Sequence, residues 1–218
     1  MTAYRDRGEA GRLLAQALSA WKGQRPLVLA IPRGAVTMGR VIADALGGEL
    51  DVVLVRKLPA PGNPEFAIGA VAETGWWHVA DYAASAGATP EYIERAVAVE
   101  RETMQHRRAQ YTPVRPPLDP KDRIAIVVDD GLATGATMLT ALHSLRGKNA
   151  RHVICAVPVA APEAVEMVRP LADEVVCLHA PGFFYAISPF YRSFPQVSDD
   201  EVIAILNKQA KRSAARSP

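Results

Sequence analysis

The chain has 218 residues, 49% hydrophobic and 22% charged, with 25 basic against 23 acidic side chains for a net charge of +2. That composition can bury a sizeable core without staples, and it lacks the basic field of a nucleic-acid or membrane-surface binder. No apolar run approaches the roughly 20 residues of a membrane span, and MTAYRDRGEA at the start has no apolar stretch of signal length, so a cytoplasmic protein with neither nucleic acid nor membrane as partner is expected.

Residues 5–21 carry Ala10, Leu13, Leu14, Ala17, Leu18 and Trp21 at spacings of three and four, one apolar helical stripe. PLVLAI (26–31) is a continuous apolar run, which predicts a strand buried on both faces. It ends in Pro32-Arg33-Gly34, and a helical pattern follows to Leu46, stopped by Gly47-Gly48. DVVLVR (51–56) predicts a second buried strand. Residues 57–75 open with three prolines and a glycine between positions 59 and 64, the composition of a flexible loop. FAIGAVAE (66–73) and GWWHVA (75–80) are suited to antiparallel pairing, with Thr74-Gly75 at the turn; Trp76 and Trp77 read as packing residues. Thr89 and Pro90 have the chemistry of an N-cap and a first helical position, so a helix is expected from there to about Gln110. Pro113, Pro116, Pro117 and Pro120 mark a linker.

After the linker, strands (IAIVVDD, HVICAVPV, EVVCL) alternate with helices (ATMLTALHSLRG, APEAVEMVRPLA). That alternation predicts an α/β fold with a mostly parallel sheet flanked by helices. Cys155 and Cys177 fall within two of these apolar strands without metal-ligand spacing, so buried free thiols are expected. Residues 181–197, PGFFYAISPFYRSFPQV, break the pattern. Ser198-Asp199-Asp200-Glu201 is a capping-box sequence that starts a last helix through Ile205. Lys208, Lys211, Arg212 and Arg216 cluster in 208–218, a stretch expected to fray as a disordered tail. The whole chain, 1–218, reads as one domain.

The segment from Ile124 to Met138, IAIVVDDGLATGATM, carries the chemistry. In an open parallel sheet, ligands bind at the carboxyl ends of the strands, where Asp129 and Asp130 stand. Gly131 to Thr137 then leads into a helix. A loop of small residues at a helix N-terminus presents backbone N–H groups to an anion, and Thr134 and Thr137 add hydroxyl donors. The carboxylates upstream would repel phosphate but can accept hydrogen bonds from two sugar hydroxyls. Phosphate at one end and diol at the other outline ribose 5-phosphate. No G-K-[ST] follows, so this is not a Walker loop.

The segment resembles the phosphoribosyl pyrophosphate (PRPP) signature of type I phosphoribosyltransferases: an apolar strand, two acids, and a loop ending T-G-x-T. VVDDGLATGATM is similar to the adenine-type version. Pro32-Arg33-Gly34 resembles the pyrophosphate loop of that family, and Val55-Arg56-Lys57 with Leu58-Pro59 resembles the start of its flexible catalytic loop. The resemblance covers about residues 26–160, and the pattern is most similar to bacterial phosphoribosyltransferases of unassigned substrate. It implies transfer of ribose 5-phosphate from PRPP to a nitrogen nucleophile, a nucleobase above all, with release of pyrophosphate. It also implies a magnesium ion held mainly through PRPP and water, and a homodimer.

Carried over onto this sequence, the catalytic candidates are Arg33, Lys57, Asp129 and Asp130. The PRPP-binding set adds Gly34, Arg56, Ala133, Thr134, Gly135, Ala136 and Thr137. Arg33 and Lys57 have an alternative as solvated loop charges, and Arg56 as a strand residue in a structural ion pair. The resemblance also implies a non-proline cis bond at or beside Arg33-Gly34. Ala133 stands where some purine-transferring relatives carry an acid. The family's variable hood corresponds to residues 181–197, with Phe183, Tyr185 and Tyr191 as rings able to stack on a base or to close the core. Glu65 reads either as an acid near the site or as a solvated carboxylate. A non-catalytic regulator sensing PRPP or a nucleotide is the competing expectation; near-neutral charge and the presence of Arg33 and Lys57 favour the enzyme.

Overall fold

The structure, a computed structural model, describes residues 4–113 and 117–214. In chain order the elements are α1 (Arg7–Ala17), β1 (Leu27–Ala30), α2 (Ala35–Leu46), β2 (Glu49–Val52), β3 (Val55–Ala60), β4 (Asn63–Ala72), β5 (Trp77–Val79) and α3 (Pro90–Tyr111). There follow β6 (Ile124–Val128), α4 (Ala136–Arg146), β7 (His152–Val159), α5 (Pro162–Val168), β8 (Glu174–His179) and α6 (Asp199–Ala214). Five strands form a parallel sheet in the order β2-β1-β6-β7-β8, and β3, β4 and β5 form a small antiparallel sheet. This is the expected α/β architecture, with the small sheet added.

The continuous apolar strands are buried on both faces, as their composition demands. Along β1, Val28 and Ala30 join one core with Leu14, Met38, Ile42 and Leu206. Leu27 and Leu29 join the other, with Leu142, Val153, Cys155 and Val165. The period of two divides each strand between the helices on its two sides. Strand order reverses direction between β1 and β6, which makes a switch-point crevice at their carboxyl ends.

The caps follow the sequence. Tyr92 N donates to Thr89 Oγ1 at 3.2 Å at the start of α3. Ser198 N donates to Glu201 Oε2 at 2.7 Å and Glu201 N to Ser198 Oγ at 3.2 Å, a reciprocal capping box.

Three expectations need correction. Residues 51–56 are not one strand: pairing with β1 ends at Val52, and from Val55 the chain joins β4 in the second sheet. Residues 57–60 and 63–65, expected as part of a flexible loop, are strand, while the expected antiparallel pairing of 66–73 with 75–80 is present as β4 and β5. β3 and β4 form a long hairpin whose tip has Gly62 at φ 71°, and register shifts on both sides of Pro59 accommodate the residue that cannot donate to the ladder. Lastly, α6 runs past Ile205 to Ala214, so 208–214 are helical. Gln209, which is buried, and Arg212, which is exposed, each donate to Asp44 Oδ1 at 2.8 Å and pin the helix to α2. Pro116 in the linker and Arg216 with the end of the tail lie outside the described residues. Among the described residues no helix is long and apolar enough to cross a membrane.

Candidate active site

The carboxyl ends of β1 and β6 are tied by Ile31 N donating to Val128 O at 2.9 Å. The chain then turns through Asp129 to Gly135. Leu132 N donates to Val159 O at 3.0 Å, and Ala161 N to Leu132 O at 2.9 Å, which pins the loop to the end of β7. Gly135 takes φ 78°, a conformation that suits glycine, and a Cβ there would lie 3.3 Å from Ala164 O. No side chain caps α4 at Gly135. Its first-turn N–H groups are therefore left for another acceptor, the arrangement that receives an anion. Ala133 and Thr134 are exposed at the crown of the loop, and Ala136 and Thr137 begin the helix.

A cleft of about 140 Å³ lies over this loop, lined by Lys57, Asp129, Asp130, residues 131–135, Thr137 and Ile187 among others. A second cleft of about 510 Å³ adjoins it and shares Lys57, Asp129 and Thr137. Its walls are Pro32 after β1, the β3–β4 hairpin with Arg56 and Glu65, and Glu100 and Arg107 on α3. The structure thus brings together Lys57, both acids and the loop, although Lys57 is 72 residues from Asp129 in the sequence.

The two acids differ. Burial pushes the Asp129 carboxyl well above the usual carboxylate range; the neighbouring Asp130 charge adds to this, and the hydrogen bond from Asp130 N (2.8 Å) with the Lys57 and Arg7 charges partly opposes it. Asp130 is neutralised locally. Its Oδ2 accepts from Arg7 Nε at 3.0 Å and Nη2 at 2.8 Å, and its carbonyl accepts from Tyr191 Oη at 2.7 Å. Gly34 sits against this pair: a Cβ there would lie 2.3 Å from Asp130 Oδ2.

The arginines behave less uniformly. Arg56 Nε lies 2.7 Å from Glu100 Oε2, so it is in the structural ion pair that was its alternative. Arg33 is exposed and its Nη1 lies 3.6 Å from Asp199 Oδ2. The peptide joining Pro32 and Arg33 is cis, one bond before Arg33-Gly34.

The hood residues separate as well. Phe183 and Tyr185 are 82% and 87% exposed. Tyr191 is 6% exposed, packed between Tyr4 and Phe194. That position corrects its reading as a base platform, because its ring is covered and its hydroxyl holds the Asp130 backbone. Glu65, the possible acid, does line the larger cleft from the hairpin.

Sequence reasoning missed four residues. Arg7 precedes Ala10, Leu14 and Leu18 by three, seven and eleven, so it lies on the apolar face of α1, and a charge there was the available signal. Asp199 gathers Arg33, Arg107 at 4.0 Å and the Tyr111 hydroxyl; it looked like a helix-start acid only. Arg107 sits in the polar half of α3, where nothing distinguishes it from its neighbours. Ile187 packs against Gly131, where a Cβ would come within 2.9 Å of it; no local pattern announces that contact.

Similarity to known proteins agrees with this geometry. A family model of the phosphoribosyl transferase domain matches residues 6–194. A protein of Mycobacterium tuberculosis, named provisionally as a phosphoribosyl transferase, is 40% identical over 212 residues, covering 95% of this chain and 47% of its own. The chain therefore spans about half the length of that relative. The uracil phosphoribosyltransferase of Anoxybacillus flavithermus is 39% identical over 62 residues, 28% of this chain and 30% of its own. The crystal structure of TT1426 from Thermus thermophilus is 47% identical and superposes with a TM-score of 0.80, covering 95% of this chain and 99% of that one. The chain belongs to the phosphoribosyl transferase domain family.

Proposed function

We propose that the protein transfers ribose 5-phosphate from PRPP to a nitrogen nucleophile, with release of pyrophosphate. The observation that carries this reading is the junction of the two clefts at Lys57, Asp129 and Thr137. The smaller cleft suits ribose 5-phosphate: the uncapped start of α4 with Thr134 and Thr137 takes the phosphate, and Asp129 and Asp130 accept the ribose hydroxyls. The larger cleft suits the pyrophosphate. Lys57 reaches it from β3 and Arg107 from α3, while Arg33 is available once it leaves Asp199. Arg56 contributes through Glu100 to the wall rather than to the ligand.

In the transfer, the nucleophile forms a bond to C1 of the ribose as the bond to pyrophosphate breaks. Positive charge grows on the ring and negative charge on the leaving group. The chain's contribution is electrostatic and positional: Asp129 and Asp130 lie on the side of the sugar, Lys57 on the side of the leaving group. Among the described residues no three acid, histidine or cysteine side chains converge as a metal cage. Asp129 and Asp130, which line the smaller cleft, are the carboxylates that would face a magnesium ion brought in on PRPP, and that ion would supply positive charge to the leaving pyrophosphate. Ala133 offers no base to the acceptor, so the nucleophile's proton passes to another group or to solvent water. Phe183 and Tyr185, exposed on the hood segment, are the rings available to a planar acceptor.

The test is a pyrophosphate-release assay with PRPP and magnesium against a panel of purines, pyrimidines and other nitrogen nucleophiles. Release with one acceptor identifies the substrate. PRPP binding without release on any acceptor would favour a sensor instead, a reading supported by the ion pairs that occupy Arg33 and Arg56.

A further inference from the structure

Arg7 enters the site from α1, more than a hundred residues before the loop it serves. It is 8% exposed. Two of its N–H groups converge on one oxygen, Asp130 Oδ2, at 3.0 and 2.8 Å. Nη1 donates to Pro195 O at 2.6 Å, and the guanidinium carbon lies 3.7 Å from the centroid of the Phe194 ring. Gly34 has no Cβ to intrude; one would lie 2.8 Å from Arg7 Nε. Four separate segments therefore meet at a single guanidinium.

Packing alone does not call for this. The position lies on the apolar face of α1, where an aliphatic side chain would bury its surface without desolvating a charge. The guanidinium fork instead fixes the orientation of a carboxylate. Only Oδ2 is engaged by it, and Oδ1 of Asp130 accepts no hydrogen bond among the described residues. Asp130 lines the smaller cleft.

We propose that Arg7 is a positioning residue for the donor sugar: by fixing Oδ2 of Asp130 from behind, it leaves Oδ1 aimed at a ribose hydroxyl of the donor. This rests on the reading of the cleft as a PRPP site. Arg7 also ties that acid to the hood segment, since Phe194 and Pro195 hold its guanidinium and Tyr191 holds the Asp130 carbonyl. The titratable groups facing the two acids are Arg7 from α1, Lys57 from β3, Cys155 from β7 and Tyr191 from the hood segment. Of these, the Arg7 and Lys57 charges act against the burial of the Asp129 carboxyl.

The test compares wild type, Arg7→Lys and Arg7→Met. PRPP affinity with magnesium is measured by calorimetry and Tm by thermal melts, and the ligand-free crystal structures are compared at Asp130. Arg7→Met is expected to weaken PRPP by about 10-fold or more, the loss of one well-placed charged hydrogen bond. Arg7→Lys, which returns the charge without the fork, should restore part of the loss. Wild-type affinity in Arg7→Met overturns the proposal; so does a weakening in which the Asp130 carboxylate keeps its wild-type orientation. If Arg7→Met does not fold, Arg7→Lys and Phe194→Leu are read by the same criteria. If the wild type binds no PRPP, the donor reading fails by itself. The crystal structures then decide for Arg7: an Asp130 carboxylate that keeps its orientation in the variants rejects the proposal, and one that turns retains the hold of Arg7 on that acid.

Discussion

The loop from Asp129 to Thr137 and the segment from 181 to 197 both reach the smaller cleft, the segment through Ile187, and are built in opposite ways. The loop is made of small residues whose main chain is fixed by β7, by the left-handed Gly135 and by the packing of Gly131 under Ile187. Little in it can adapt, and its binding groups are mostly N–H groups. The hood is anchored at Tyr191 but presents Phe183 and Tyr185 almost wholly to solvent. On the proposed reading, the main chain that would take phosphate and sugar is set by the fold, while the side chains open to an acceptor stand outside its packing.

Substitutions on the two sides should therefore separate cleanly. The largest expected effect is on the donor side: Asp129→Asn with Asp130→Asn removes two charged acceptors, each worth about 1.5 kcal/mol or more. PRPP affinity should fall by about two orders of magnitude at least, measured by calorimetry. Gly34→Ala comes next, because its Cβ would lie 2.3 Å from Asp130 Oδ2; overpacking of this kind costs about 1–3 kcal/mol, to be read in denaturant melts together with weaker PRPP binding. An unchanged melt and unchanged affinity would mean that Gly34 and Asp130 are not packed as described.

Asp129→Asn alone gives a smaller effect of opposite sign on stability. Its carboxyl pKa is raised in the folded protein, so the unfolded chain loses that proton first as pH rises. The folded state is then penalised progressively from the ordinary carboxylate range up through the raised value. The ligand-free variant should match the wild type at acid pH and equal or exceed its stability at neutral pH, in melts across that range. A variant less stable at neutral pH would contradict the assigned burial. The smallest effect belongs to the hood: Phe183→Ala and Tyr185→Ala should leave stability within about 0.5 kcal/mol and PRPP affinity unchanged, while raising the acceptor's KM. Destabilisation would make those rings part of the core and blur the contrast.

The parallel sheet was legible because doubly buried strands leave continuous apolar runs, such as PLVLAI and IAIVV, and the signature loop because its small residues and acids are contiguous. Three other features were not. The β3–β4 hairpin carries prolines that read as a loop, and only the register shifts at Pro59 reconcile them with a strand. The length of α6 depends on Asp44, far away in sequence. Tyr191 looked like an available ring because its partners, Tyr4 and the Asp130 carbonyl, come from distant segments. Contacts of this kind are set by tertiary packing, and a single sequence marks them only when it places a charge where an aliphatic residue belongs, as at Arg7.

On the reading proposed above, the two adjoining clefts act as one site for a ribose 5-phosphate joined to pyrophosphate. Calorimetric titration of the protein with PRPP, ribose 5-phosphate and pyrophosphate, each with magnesium, is the measurement that decides. PRPP should bind more tightly than either fragment, and each fragment should compete with it. Ribose 5-phosphate binding as tightly as PRPP, with pyrophosphate unable to compete, would contradict it.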